Sequence, residues 1–149
     1  MKIKPLNDKH ALLIPEKIIM QLPQSRRDEV HDTLCEELLR ERAAVLSRAG
    51  TAVEIVLAEL AGLDQEIQIK NERLEVIEQY KQTTDNLNER RMLLEDINIS
   101  IDRFNIVREK AQLKYYYLIV TREALGLRRH DRIQEIYMIP VKKKKMQAF

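Results

Sequence analysis

The chain has 149 residues, of which 44% are hydrophobic and 34% charged, with three glycines, four prolines, no tryptophan and a net charge of +2. That length fits one domain, and a charged fraction above the usual quarter points to long exposed helices. So few turn residues exclude a β-sandwich or barrel, and no Gly-rich turns alternate with strands as a dinucleotide-binding fold requires.

Residues 1–24 carry Pro5, Pro15 and Pro23, which predicts an irregular or extended N-terminal segment. Within it, His10–Ile14 could form a short strand and Lys17–Leu22 a strand or a helical turn. Helix is predicted from Ser25, which follows Pro23 and has Asp28 three residues on, a capping arrangement. Leu34, Cys35, Leu38, Leu39, Val45, Leu46 and Ala49 then recur at helical spacing, with Glu36, Arg40 and Glu41 opposite. Gly50 suits a C′ position, and Thr51 with Glu54 three residues on suits a new N-cap. A break is therefore expected there, with a helix of about 25–49 before it; a continuous helix across Gly50 is the alternative.

From Leu63 to Leu125 there is neither glycine nor proline. One helix of that length would run about 95 Å. The polar cluster Gln82, Thr83, Thr84, Asp85, Asn86 offers a turn instead, because these side chains compete for backbone amides. Helices of about 51–81 and 86–125 result, antiparallel because their connection is short. Both carry heptad seams. The first reads Leu60, Leu63, Ile67, Lys70, Leu74, Ile77, and the second Leu94, Ile97, Ile101, Phe104, Arg108, Ala111, Tyr115, Leu118, Arg122, Leu125. Where Lys70, Arg108 and Arg122 interrupt the seams, packed stems with charged heads at the edge are expected.

Gly126 follows Leu125 as a C′ glycine would. Residues 126–141 read as a loop and a short extended segment, in which Asp131 could cap a helical turn and Tyr137–Val141 favours a strand. The proline-flanked ends, 10–22 and 133–141, are candidates for a two-stranded pairing packed on the helices. Residues 142–149 read as a basic disordered tail. The predicted fold is all-α: a long antiparallel helical hairpin plus an N-terminal helix, bundled or coiled-coil-like.

The opening residues Met1-Lys2-Ile3-Lys4-Pro5-Leu6-Asn7-Asp8-Lys9 resemble the start of the small co-chaperonin family. The likeness covers nine or ten residues. That family is β-rich, with abundant glycine and valine, whereas this chain is helical from Ser25 onward, so no function is carried over.

Cys35 is the sole cysteine, which rules out an internal disulfide and favours an intracellular setting. No apolar run is long enough for a signal peptide or a membrane span, and a cytoplasmic location is expected. Residues 25–125 hold 15 basic and 20 acidic side chains, while residues 126–149 hold seven basic and two acidic. An acidic helical body thus carries a basic C-terminal end. Arg128, Arg129, Arg132 and Lys142, Lys143, Lys144, Lys145 could contact phosphates or an acidic partner, or simply solubilise the chain.

Glu72, Glu75 and Glu78 recur at steps of three, but the Glu-x-x-His of a di-iron bundle is missing, and a solvated face with Lys70, Arg73 and Lys81 is the simpler reading. His31 and Cys35 lie four apart on one face, but a metal site needs at least one or two more ligands, which the sequence does not identify. His10 and His130 would meet only if the ends pair.

The run Tyr115–Val120 makes its helix apolar nearly all round, which calls for burial on more than one side. The expectation is a non-enzymatic structural or protein–protein interaction protein without cofactors, self-associating or bound to a helical partner. Phe104, Tyr115, Tyr116, Leu118 and Ile119 are its expected contacts. A nucleic-acid-binding module using the basic C-terminal end is the first alternative, and a metal-dependent all-α enzyme the second.

Overall fold

The computed structural model describes residues 21–80 and 83–147. The chain divides into two compact units, Met1–Ala43 and Ala44–Phe149. Among the described residues the elements are α1 (Gln24–Gln79), α2 (Thr84–Ala124) and α3 (Asp131–Ile136), and no strand occurs. The fold is an all-α hairpin, as the heptads predict.

In the first unit, α1 starts directly behind Pro23, whose carbonyl accepts the first helical bond from Arg27 N–H at 3.0 Å. Its apolar residues Leu34, Leu38 and Leu39 are exposed.

In the second unit, α1 and α2 pack along their seams. Val56, Leu60, Leu63, Ile67 and Leu74 of α1 close against Leu94, Ile97, Ile101, Phe104 and Ala111 of α2. The antiparallel sense is visible in the cross-helix ion pairs Glu59–Lys110, Lys70–Asp96 and Glu78–Arg90, which descend α2 as they climb α1; Arg73–Glu89 lies beside the last of them. Thr83 caps α2 by accepting from Asn86 N–H. Gly126, at φ +86°, ends it: Gly126 N–H bonds Glu123 O and Leu127 N–H bonds Arg122 O, the paired closure that a left-handed glycine permits.

Two expectations need correction. The helices of about 25–49 and 51–81 are one, because α1 runs unbroken through Gly50. A C′ glycine ends a helix by taking a positive φ, and among the described residues only Gly126 does so. Gly50 instead makes room for Tyr137: a Cβ there would stand 3.3 Å from the Tyr137 hydroxyl. The proposed pairing of 133–141 with 10–22 also fails on its C-terminal side. Residues from Asp131 to Ile136 form α3, and Tyr137–Val141 bonds to helix side chains rather than to a strand. Residues 10–20, like the co-chaperonin-like opening, lie outside the described residues.

Candidate interaction surfaces

The three cations that interrupt the seams each fasten a separate piece of chain. Lys70 Nζ donates to Glu66 (2.9 Å), Asp96 (2.9 Å) and Ser100 Oγ (2.8 Å). Ser100 is buried, and its hydroxyl donates on to Glu66 at 3.2 Å. The Lys70 hydrogen bond holds the Glu66 carboxyl below its ordinary range, against a smaller opposing effect of burial. Burial pushes Lys70 down, but its bonds to Glu66 and Asp96 outweigh this and raise it. Arg108 Nε donates to Pro140 O at 2.7 Å. Arg122 donates to Arg129 O and to His130 Nδ1, tying the loop behind α2 to its last turn.

The segment expected to be a disordered tail lies extended in a groove between α1 and α2 as far as Gln147. Asn105 Nδ2 donates to Lys143 O, and its Oδ1 accepts from Lys143 N–H, both at 2.9 Å. Asn98 does the same to Met146, at 2.9 and 2.7 Å. Segment positions 140, 143 and 146 meet helix positions 108, 105 and 98, so the segment runs antiparallel to α2. The asparagines are seven helix residues apart, about 10.5 Å, and three extended residues span about 10 Å. The two repeats therefore stay in step.

Side chains add selectivity. The Lys143 ammonium pairs with Asp64 of α1 and lies 4.9 Å from the Phe104 ring centre. Lys145 pairs with Asp102 of α2 at 2.8 Å. Tyr137 donates to Glu54 at 2.8 Å, which raises the phenol above its ordinary range, with burial adding to the effect. Only Ile139 packs against the core, while Met138 and Val141 are exposed. The segment is held by polar bonds to its backbone and its lysines, which is why a polar, lysine-rich composition does not leave it loose.

The predicted contact residues separate. Phe104 and Leu118 are buried in the hairpin, Tyr115 and Ile119 are half-buried, and Tyr116 is exposed with its ring 6.1 Å from that of Tyr117. Of the predicted basic group, Lys143 and Lys145 are engaged with carboxylates. Lys142, Lys144, Arg128, Arg129 and Arg132 are exposed.

A feature that sequence reasoning missed lies on the outer face of α2. Met92, Ile99, Ile106, Leu113 and Val120 recur at every seventh residue, and all five are exposed, Val120 least at 42%. Relative to the buried seam they occupy the opposite side of the helix. The signal was present as a strict period, but it falls where polar residues are normally found.

The carboxylates Glu72, Glu75 and Glu78 do not converge: Gln68 donates to Glu72 and Arg90 to Glu78. His31 Nε2 and Cys35 Sγ are 3.8 Å apart on an exposed surface. Among the described residues, no group of three or more His, Cys, Asp or Glu side chains could hold a metal ion, and no helix is long and apolar enough to cross a membrane. Compared with known proteins, the chain matches no family model, no curated protein and no solved structure.

Proposed function

We propose that this is a non-enzymatic interaction protein whose hairpin associates with a second copy through the outer face of α2. The observation that carries the reading is the exposed stripe Met92, Ile99, Ile106, Leu113 and Val120, about 42 Å long at 1.5 Å per residue. A strict seven-residue line of large apolar side chains differs from the singly scattered ones that are normal on a surface. A seven-residue period suits pairing with a helix of the same period.

The flanking charges favour an identical partner in parallel orientation. Glu109 borders the stripe on one side and Arg103 on the other, beside Asp102 and Lys110, which are paired within the chain to Lys145 and Glu59. A parallel two-fold pair sets the acidic border of each copy against the basic border of its partner, whereas an antiparallel pair sets like against like. Tyr116 and Tyr117 widen the apolar surface at the C-terminal end.

Sedimentation equilibrium is the test. The wild-type chain is expected to be a dimer, and Ile99→Glu with Ile106→Glu a monomer of unchanged far-UV circular dichroism. A wild-type chain that stays monomeric at several hundred micromolar would overturn the reading.

A further inference from the structure

We propose that the groove between α1 and α2 is a recognition site for an extended, lysine-bearing peptide segment of a partner protein, and that the C-terminal segment of this chain is its intramolecular occupant. The inference does not depend on the outer stripe of α2.

The groove's chemistry is that of a peptide clamp. Asn98 and Asn105 each engage the N–H and the C=O of a single residue, as a neighbouring strand would, so each grip requires extended backbone and is indifferent to the side chain. Arg108 takes one more carbonyl, at Pro140. Selection comes from the side chains between these grips. Asp64 and the Phe104 ring together accept an ammonium at the position of Lys143, and Asp102 accepts another two residues later. The favoured occupant has a lysine at the position of Lys143 and a second lysine two residues on.

Two further observations separate a binding groove from a packing surface. The resident segment leaves Met138 76% and Val141 81% exposed, so it is attached by reversible polar bonds more than by apolar burial. The groove also continues past Met146 into a cleft of about 510 Å³ lined by Asn71, Glu75, Arg90 and Leu94. There the Asn71 Oδ1 atom is buried and has no hydrogen-bond partner among the described residues.

The resident segment competes at the high effective concentration of an attached ligand, so a partner segment must displace it. The test uses the full chain. Lys143→Glu with Lys145→Glu reverses the segment's own charges opposite Asp64 and Asp102 and leaves the groove intact. A fluorescein-labelled peptide of residues 137–147 is titrated against it and followed by anisotropy. Saturable binding is expected, at least about tenfold tighter than to the wild-type chain, whose groove is filled. Adding Asn98→Ala and Asn105→Ala, or replacing both peptide lysines by glutamate, is expected to weaken it by at least about tenfold. Should the double reversal lower helicity, Lys145→Glu alone, at a 58% exposed side chain, serves for the same measurement. No saturable binding to the charge-reversed chain, or binding indifferent to the asparagines, would overturn the proposal.

Discussion

The Tyr137 hydroxyl donates to Glu54 at 2.8 Å and sits 3.3 Å from where a Cβ on Gly50 would stand. Glycine in a helix interior costs about 0.5–1 kcal/mol relative to alanine, so Gly50→Ala should help the helix. It would also push the phenol off Glu54, losing about 1 kcal/mol of hydrogen bonding. The expected net change is near zero. In a Tyr137→Phe background the crowding atom is gone, and Gly50→Ala should then stabilise by about 0.5–1 kcal/mol. Urea denaturation of the four chains of this cycle measures the coupling; strict additivity would contradict it.

Gly62 is the matched control. It lies inside α1, exposed, and a Cβ there would meet nothing within 4 Å. Gly62→Ala should stabilise the chain by about 0.5–1 kcal/mol through helix propensity alone. A thermal melt that fails to move upward would show that this stretch of α1 does not limit stability.

The Lys70 network gives stability a pH window. Glu66 is lowered by folding, so its contribution is present above the ordinary carboxylate value of 4.5 and is lost as pH falls through the lowered one. Lys70 and Tyr137 are raised by folding, so theirs are present below 10.5 and 10.0 and are lost as pH rises through the raised values. Melting temperature should therefore be flat from about pH 5 to 10 and fall on both sides. Lys70→Met should flatten the acid limb and cost about 1–2 kcal/mol near neutrality, since its partners are partly exposed. Circular dichroism melts across the range would show an unchanged acid limb if the network were inert.

Phe104 serves two surfaces at once, the hairpin core and the seat of Lys143. Phe104→Leu keeps apolar volume but removes the ring face. About 0.5–1 kcal/mol of the lysine's attachment should go with it. Trypsin should then cut at Lys142–Lys145 faster than in the wild-type chain; an equal rate would mean the ring contributes nothing there.

The hairpin was readable because a heptad is a local pattern. Leu60, Leu63, Ile67 and Leu74 with Leu94, Ile97, Ile101, Phe104, Ala111 and Leu118 are buried as their spacing implied. The docked segment was not readable, since it joins Asn98 and Asn105 to residues some 40 positions away. A hint existed: asparagine is a poor helix former, and two of them seven apart in a long helix ask for a reason. Gly50 misled for the same cause. Its neighbour in space is Tyr137, and no window around residue 50 contains it.

The shared step of the asparagines and the segment restricts how this molecule can change in length. A single residue inserted between Lys143 and Met146 would leave one asparagine facing the wrong peptide unit and turn Lys145 away from Asp102. Lengthening α1 and α2 by one heptad each would preserve every grip only if the segment gained three residues at the same level. Arms and segment are therefore bound to grow or shrink together, in a ratio of seven to three.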